Sequence, residues 1–285
     1  MKMSERGELS EEALSGASSG ASSISTPEPT DKLTPPGASD TKVFKSPSEA
    51  SIAAAQIPSH RRFGKLVHKH EVPRKVFHVS IGFLTLALYV NGIQFSQVTP
   101  VLTALLVSIG SVDFFRLRHS GFNKLYCKVV GFLMREKEVN TVNGVVWYLL
   151  GLVIVFALFP KDISLVAVLL LSWADTAAST IGRAYGYLTP KIGSKSLAGT
   201  GAAYVTSAIS IWVLYAYFLP TYSQFNGPND ITWSPDHSKV SLLQFTLVGG
   251  AIGAVSEAID VFDDNLTIPV LSACFTWVFC QLVRV

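Results

Sequence analysis

Charged residues are scarce in this sequence. Only 15% of its 285 residues are Asp, Glu, Lys or Arg, whereas soluble domains usually contain about 25%. Hydrophobic residues make up 49%, and the mean hydropathy is +0.38. The shortage of charge argues against an ordinary cytosolic enzyme, and the small net charge of +3 gives no indication of a nucleic-acid partner.

Cysteine is rare, and the common kinase motifs are missing. The three cysteines, Cys127, Cys274 and Cys280, are too few and too scattered for a disulfide framework, and none has the spacing of a zinc site. The first 59 residues contain no apolar stretch that could form a signal peptide. There is no GxxxxGK[ST] loop and no HRD or DFG motif, so neither a P-loop nor a protein-kinase fold is expected.

Residues 1–59 form a separate polar region rich in Ser, Ala, Pro, Gly and Thr. They contain too few apolar side chains to offset the entropy cost of ordering the chain, so we expect a disordered cytosolic tail. Regulatory kinases could act on the proline-directed positions Thr26, Thr34 and Ser46. A plain solvated tail is the simpler interpretation.

Beyond residue 70 the sequence consists largely of apolar runs. Each run is close to the ~20 residues that a helix needs to cross a ~30 Å hydrocarbon layer. Residues 60–285 are therefore predicted to form an all-α polytopic membrane domain with about seven transmembrane helices, in preference to a large soluble core. The predicted spans are 76–95, 98–115, 141–159, 163–182, 200–219, 241–259 and 268–284.

The basic residues between the predicted spans are concentrated on one side. Fifteen lysines and arginines fall in segment 60–75 and in the loops after the second and fourth spans. Three fall in the alternate connections and at the C-terminus. Because cytosolic loops are enriched in Lys and Arg, the basic side and the N-terminal tail are predicted to be cytosolic.

The first candidate functional cluster is the stretch EVPRKVFH, which contains Arg74, Lys75 and His78. Basic side chains at the start of a membrane helix can clamp phosphate, Arg as a fork and Lys as a point charge. They can equally be anchors that extend to the lipid headgroups. His78 lies inside an apolar run, where ionisable groups usually face the interior of a helix bundle.

The second cluster, WADTAASTIGRAYG, follows an uncharged run and contains Asp175, Gly182 and Arg183. A carboxylate without a partner at membrane depth costs at least ~2.5 kcal/mol, so a cation is expected near Asp175. On a helix, Asp175 and Gly182 share a small polar face that a ligand can approach closely. Packing of small residues between helices would explain the glycine, but it does not explain the aspartate.

The third cluster is the basic, Gly- and Ser-rich turn KIGSKSLAGTG, which leads into an apolar run. Such a turn can present Lys195, Ser196 and backbone N–H groups to phosphates at a helix N-terminus. Taken alone, this turn is no more indicative of phosphate binding than an ordinary basic loop.

The fourth cluster, EAIDVFDDN, gathers four carboxylates at the cytosolic end of the sixth span: Glu257, Asp260, Asp263 and Asp264. Acids this close repel one another unless a cation neutralises them. Oxygen ligands suit Mg²⁺ or Ca²⁺, so the cluster predicts a divalent cation. A solvated helix end is the alternative.

Together the four clusters supply what phosphoryl transfer needs, namely carboxylates for a metal ion and cations for phosphates. A nucleotide would arrive from the cytosol, and an apolar acceptor would arrive sideways from the bilayer. The alternative outside the enzymes is an ion path in a polytopic transporter. Transporters often contain inverted repeats, and we find no internal repeat between 70–182 and 200–285.

From about residue 60 to the C-terminus the sequence resembles the fungal CTP-dependent diacylglycerol kinases, which are related to dolichol kinase, phytol kinase and the phosphatidate cytidylyltransferases. The resemblance lies in EVPRKVFHVSIGF, KEVNTVNGVVWYLLGL, LLSWADTAASTIGRAYGYLTPKIGSKSLAGT and SEAIDVFDDNLTIPVLS. The PGHGG-type metal motif of the cytidylyltransferases is absent, and DDNLTIP stands in its place. This difference favours a kinase.

The resemblance implies transfer of the γ-phosphate of CTP to diacylglycerol, with phosphatidate and CDP as products. It also implies a location in the endoplasmic reticulum membrane and the nuclear envelope. Dolichol or another polyprenol is the alternative acceptor. Carried onto this sequence, the resemblance implies that Arg74 and Lys75 bind phosphates and that Asp175 and Gly182 are essential.

We extend these roles to the neighbouring residues of the clusters. We expect the metal ion to be bound by Asp175, Asp260, Asp263 and Asp264. We expect the phosphates of CTP to contact Arg183, Lys195 and Ser196 as well. His78 or Glu257 is expected to accept the proton of the lipid hydroxyl.

Overall fold

A computed structural model describes residues 71–259 and 261–285, and most of them are helical. The all-α prediction is therefore confirmed for this part of the chain. The predicted disordered tail, 1–59, and its boundary near residue 60 lie outside the described residues.

Each of the seven predicted spans falls on a helix. Before the centre of the chain lie α1 (Val72–Val90), α2 (Phe95–Arg118), the short α3 (Ser120–Val130) and α4 (Gly144–Leu158). A long helix follows, made of α5 (Lys161–Leu169), a π-helical turn (Leu170–Ala174) and α6 (Asp175–Tyr185). The remaining helices are α7 (Leu197–Val213), which continues through a π-helical turn (Leu214–Phe218) into α8 (Leu219–Thr221), then α9 (Leu242–Ala258) and α10 (Asp264–Val283).

Short elements fill the connections. A two-stranded antiparallel hairpin, β1 (Lys191–Ile192) and β2 (Lys195–Ser196), joins α6 to α7. Single 3₁₀ turns are found at Glu136–Val139, Gly186–Leu188, Ser223–Phe225 and Pro235–His237.

Four helices are long and apolar enough to cross a membrane, by length and composition alone: Phe95–Arg118, Lys161–Leu188, Leu197–Thr221 and Asp264–Val283. Two further apolar helices, α4 and α9, have 15 and 17 residues, and at 1.5 Å per residue they are shorter than a ~30 Å hydrocarbon layer. α1 carries Arg74, Lys75 and His78 within its first two turns. Membrane character is thus supported, but the predicted number of seven spans is not confirmed.

The long helix α5–α6 forms the centre of the bundle. Every residue of α5 is buried, and α5 packs against α1, α4, α7 and α10. Such an all-round apolar helix is stable only when other helices surround it. By contrast, α2 packs against α3 and α4 and leaves most of its surface exposed, as expected for a helix that faces lipid.

One end of the bundle is fixed by a buried carboxylate at the start of α5. Asp162 is fully buried and accepts hydrogen bonds from the Tyr215 hydroxyl (2.9 Å), the Thr232 N–H (2.6 Å) and the Trp233 N–H (3.3 Å). Buried carboxylates are tolerated when they are satisfied in this way. These bonds attach the loop before α9 to α5, and the candidate site lies at the opposite end of α5–α6.

Candidate functional site

A cavity of about 580 Å³ opens where α6, the hairpin, the start of α7, the end of α9 and the start of α10 meet. Seven of the predicted site residues line it: Asp175, Gly182, Arg183, Lys195, Ser196, Glu257 and Asp264. It is also lined by Arg135, Ala178, Ser179, Tyr187, Lys191, Ser194 and Gly199. The structure therefore brings residues of three predicted clusters to one place, with four cations and three carboxylates in the lining.

Asp175 stands at the first position of α6, directly after the π-helical turn. Its side chain lines the cavity although the residue is only 9% exposed. Within the described residues its carboxylate has no hydrogen-bond or ion-pair partner, and the charges that act on it are those of Asp264, Arg135, Lys195 and Arg74. π-helical turns are frequent at functional sites, and an unpaired buried carboxylate is expected to serve a ligand.

Lys195 connects two carboxylates across the cavity. Its Nζ donates to Asp264 Oδ1 at 3.0 Å and lies 3.3 Å from Glu257 Oε1. The other oxygen of Glu257 accepts a hydrogen bond from the Thr200 hydroxyl at 3.1 Å. Burial alone would lower the pKa of Lys195, but the neighbouring Asp264 and Glu257 raise it above its ordinary value. Lys195 is therefore a fixed cation in the cavity.

The predicted set of four metal ligands is only partly assembled. In residues 71–259 and 261–285 no three His, Cys, Asp or Glu side chains form a group that could hold a metal ion, and Asp260 lies outside the described residues. Asp263 caps α10 by accepting from Asn265 N–H at 3.2 Å and lies near Arg135 and Lys137 (3.8 and 3.7 Å). The acids Asp175 and Asp264 do line the cavity.

These two carboxylates are sufficient for one kind of cation. Mg²⁺ is commonly held by one or two protein carboxylates, with water and substrate phosphates completing its shell. Asp175 has no partner among the described residues, and Asp264 acts on it electrostatically across the cavity. The donor set therefore fits a divalent cation that arrives with a nucleotide, and it does not fit a site made of protein ligands alone.

The first three N–H groups of α7 already have acceptors, so they are not open to a phosphate in the way that the Gly- and Ser-rich turn allowed. Leu197 N–H donates to Pro190 O at 3.0 Å, and Ala198 N–H donates to Thr189 Oγ1 at 3.1 Å. Gly199 N–H donates to Ser196 Oγ at 3.2 Å. These three N–H groups are therefore occupied by the hairpin and the residues just before it.

The glycines of α6 allow the hairpin to lie against that helix. A Cβ on Gly182 would lie 3.1 Å from Ser196 Oγ, and a Cβ on Gly186 would lie 2.8 Å from the same atom. Gly199 approaches α6 equally closely, since its Cβ would lie 2.9 Å from the carbonyl oxygen of Ala178. The small-residue face therefore packs α6 against α7 and also forms the wall of the cavity.

Two glycines of α7 provide a matched test of this wall. We expect Gly199→Ala to lower the free energy of unfolding by about 1–3 kcal/mol, because the backbone oxygen of Ala178 cannot move aside as a flexible side chain could. Gly201→Ala meets nothing within 4 Å and should be neutral or stabilise by up to about 1 kcal/mol. Thermal unfolding of the two purified variants tests the pair, and equal midpoints would contradict it.

Arg74 and Lys75, at the start of α1, lie beside the cavity and are not among the residues that line it. Arg74 is buried, with Nη1 donating to Glu138 Oε1 at 3.0 Å and Nη2 to Asn265 Oδ1 at 3.3 Å. Lys75 donates to the Thr180 hydroxyl at 2.9 Å. In this arrangement both cations hold α1 against neighbouring elements.

His78 lies deeper in the bundle and does not line the cavity. It is 7% exposed, and its Nδ1 has no hydrogen-bond partner among the described residues. Its ring stands edge-on to Tyr148, with the centroids 5.0 Å apart. The structure therefore separates His78 from Glu257, the other predicted proton acceptor, which does line the cavity.

Arg183 is held in place by the residue that precedes α1. Its Nη2 donates to Glu71 Oε2 at 2.8 Å. Burial alone would raise the pKa of Glu71, but the ion pair with Arg183 and the further charges of Arg135 and Arg74 lower it. Glu71 also adopts a left-handed backbone conformation with φ 49°, which is uncommon for a non-glycine residue. This contact ties the start of α1 to the wall of the cavity.

Sequence reasoning missed several residues that shape the site. Arg135 lines the cavity, and Glu138 and Asn265 hold Arg74. Arg116 is fully buried, pairs with Asp113 at 2.7 Å and donates to backbone oxygens at residues 138, 139 and 141. The pair of Asp113 and Arg116 could have been predicted, because opposite charges three residues apart in an apolar run indicate an ion pair. Arg135 could not, because a single arginine in a basic loop indicates only the side of the membrane.

Comparison with known proteins identifies relatives over most of the chain. The chain is 48% identical over 247 residues to CTP-dependent diacylglycerol kinase 1 of Saccharomyces cerevisiae. This alignment covers 86% of this chain and 85% of that protein. Proteins of the same name from Eremothecium gossypii and Schizosaccharomyces pombe are 53% and 42% identical over 227 and 212 residues. These alignments cover 79% and 73% of this chain and 72% and 93% of the relatives.

No family model and no solved structure matches the chain. The three fungal relatives agree with the resemblance noted in the four sequence clusters, and they do not favour the transporter alternative. At this level of identity and coverage, the chain belongs to the family of the CTP-dependent diacylglycerol kinases.

Proposed function

We propose that this protein transfers the γ-phosphate of CTP to the free hydroxyl of diacylglycerol and so forms phosphatidate and CDP. The names of the three fungal relatives support both substrates. The observation that carries the proposal is the cavity itself, where fixed cations and an unpaired carboxylate face the same space. Phosphoryl transfer needs this combination of positioning and charge neutralisation.

The cations of the lining are assigned to the phosphates of CTP. Lys195 is held between Glu257 and Asp264, and Arg183 is held by Glu71, so neither side chain has to be ordered when the nucleotide binds. Lys191 and Arg135 line the same cavity. Arginine matches a phosphate with two parallel donors, and lysine acts as a point charge.

The carboxylates Asp175 and Asp264 are assigned to a divalent cation, Mg²⁺ or Ca²⁺. When bound, the cation would neutralise charge on the phosphate oxygens that receive electrons in the transition state. We assign Asp263 to capping α10 and to Arg135 and Lys137, in place of its predicted role as a ligand. The assignment depends most on Asp175, since this carboxylate, unlike that of Asp264, has no partner among the described residues.

The transferred group moves between two oxygens. The lipid hydroxyl loses its proton, its oxygen bonds to the γ-phosphorus, and the bond between that phosphorus and the β-phosphate oxygen breaks to release CDP. Of the two predicted acceptors, Glu257 lines the cavity and His78 does not, and we propose that one of these two side chains takes the proton. In a loose transition state the attacking hydroxyl needs little activation by a base, so the rate depends mainly on how the two substrates are positioned.

We also propose the placement of the protein in the cell. The helices that carry the seven predicted spans are all proposed to cross the membrane. The cavity and the N-terminal tail are proposed to face the cytosol, because the basic residues of the lining lie at one end of the bundle. The endoplasmic reticulum membrane and the nuclear envelope are the proposed location. The proline-directed sites of the tail are proposed targets of regulatory kinases.

A lipid-kinase assay on the purified, detergent-solubilised full chain tests the function. CTP or ATP carrying a labelled γ-phosphate is supplied with diacylglycerol or dolichol, and phosphatidate with CTP serves as a control for cytidylyl transfer. We expect label to move from CTP into phosphatidate. Label in dolichyl phosphate alone would change the acceptor, and no transfer from demonstrably folded protein would exclude the lipid-kinase proposal.

A further inference from the structure

A layer of neutral polar side chains lies next to Asp175. Ser172 precedes Asp175 by three residues in the π-helical turn, and its hydroxyl lies 3.3 Å from the Tyr148 hydroxyl of α4. The Tyr148 ring stands edge-on to His78 of α1. The three side chains are buried and come from three different helices, and together they are called the polar layer.

The polar layer has hydrogen-bonding capacity that the described residues do not use. His78 Nδ1 has no hydrogen-bond partner among the described residues although only 7% of the residue is exposed. Tyr148 and Ser172 bond to each other, and this bond uses only one of their two hydroxyl hydrogens. Leaving buried polar groups unsatisfied is unfavourable, so a ligand that pairs with them would bind favourably.

The position of the polar layer connects the cavity with the apolar part of the bundle. Asp175, which lines the cavity, acts electrostatically on Tyr148. Tyr148 also packs in a buried apolar cluster with Leu152 and Leu171, against which the half-buried Ile81 of α1 and Leu102 of α2 pack. The layer is therefore continuous with the apolar core and lies near the cavity through Asp175.

The layer also lies at a seam between helices. α1 packs against α5 and the π-helical turn, whereas α4 packs against α2, α5 and α10. The contact between His78 and Tyr148 bridges α1 and α4 through side chains. Side chains can change rotamer to admit a ligand more readily than packed backbones can separate.

We propose that the polar layer of His78, Tyr148 and Ser172 binds the alcohol end of the lipid acceptor and selects acceptors with an ester carbonyl beside the free hydroxyl. This inference rests on the proposed lipid-kinase function. The free hydroxyl hydrogen of the Tyr148–Ser172 pair donates to the ester carbonyl, and His78 Nδ1 pairs with the lipid hydroxyl. The acyl chains extend along the apolar side of the layer.

The proposal explains how one cavity can distinguish lipid alcohols. A diacylglycerol carries an ester carbonyl close to its free hydroxyl, whereas a polyprenol carries none. A dialkylglycerol has the same shape and the same hydroxyl as a diacylglycerol, but ether oxygens replace the ester groups. A site built to hydrogen-bond one substrate group discriminates against an analogue that lacks it, because its own polar group stays unpaired.

The test compares a diacylglycerol and a dialkylglycerol with equal chains as acceptors for the full-length protein. We expect the wild type to prefer the diester by about tenfold in kcat/KM, the factor that one neutral hydrogen bond provides. Tyr148→Phe keeps the ring against His78 and should reduce this preference to about twofold or less, with the KM for CTP unchanged. Ser172→Ala should also reduce the preference for the diester, and it replaces Tyr148→Phe in the test if that variant accumulates poorly.

Tyr89→Phe is the matched control, since it removes a buried hydroxyl that donates to Asn226 Oδ1 at 3.1 Å outside the polar layer. It should lower stability modestly and leave the diester preference unchanged. A wild type without preference, or variants at both layer positions that retain it, would overturn the inference while the kinase function stands. If the wild type phosphorylates neither glyceride, the proposed function fails first.

Discussion

Replacement of Asp175 with Asn is expected to reduce phosphoryl transfer by about 10³-fold while the protein still accumulates and folds. The substitution preserves the shape of the side chain and removes the charge that we assign to the divalent cation. Loss of one preorganised electrostatic contact to the transition state commonly costs this much. The labelled-CTP assay on purified protein measures the effect directly.

The same substitution should not destabilise the protein. Asp175 has no partner among the described residues, and its burial together with repulsion by Asp264 outweighs the attraction of the cations that act on it, so neutralising it removes the cost of a buried charge. We expect a thermal midpoint equal to that of the wild type or higher, which is typical of residues kept for function at the expense of stability. Exposed Asp236 provides the control, since Asp236→Asn should change neither quantity. Near-normal turnover of Asp175→Asn would show that the metal assignment is wrong.

Replacement of Lys195 with Met is expected to lower both activity and stability. The side chain retains its length but leaves Glu257 and Asp264 without their shared cation. Loss of hydrogen bonds to charged groups costs about 1–3 kcal/mol of folding free energy, and loss of a phosphate contact should reduce kcat/KM by about 10²-fold or more. Lys239→Met, at an exposed position outside the cavity lining, is the control and should change neither quantity.

A second substitution separates the two effects of Lys195. Adding Glu257→Gln to Lys195→Met removes one of the uncompensated carboxylates, so part of the lost stability should return without recovery of activity. Recovery of both would mean that Lys195 serves the fold alone. Because the carboxylates raise the pKa of Lys195, its stabilising charge is present below the unfolded-state pKa and is lost only as pH rises through the higher folded-state pKa. The stability difference should therefore be constant between about pH 6 and about pH 9.

Substitutions of Lys195 and Asp175, which line the same cavity, should change stability in opposite directions because the two side chains are paired differently. Lys195 is paired with two acids in the free protein, whereas Asp175 has no ion-pair partner among the described residues. An incoming nucleotide with a divalent cation would supply the missing positive charge at Asp175. Ligand binding should accordingly raise the thermal midpoint of the wild type more than that of Asp175→Asn.

Local spacing in the sequence was sufficient to predict the all-helical architecture and the gathering of the cavity residues. Charge within an apolar run identified Asp175, and the basic and acidic clusters identified Lys195 and Asp264, because a buried charge is costly wherever the helix lies. The common face of Asp175 and Gly182 also followed from helical periodicity alone. Membership of the family agreed with these motifs.

Only the tertiary structure decided which partners each of these groups has. The resemblance implies that Arg74 binds phosphate, and the structure adds that Glu138 and Asn265 hold its guanidinium, from positions 64 and 191 residues away in the chain. The turn before α7 could have presented N–H groups to a phosphate, but the first three of them donate to Pro190, Thr189 and Ser196. Spacing determines which face of a helix a side chain occupies, whereas the partner across that face depends on how distant helices pack, and no local pattern encodes that packing.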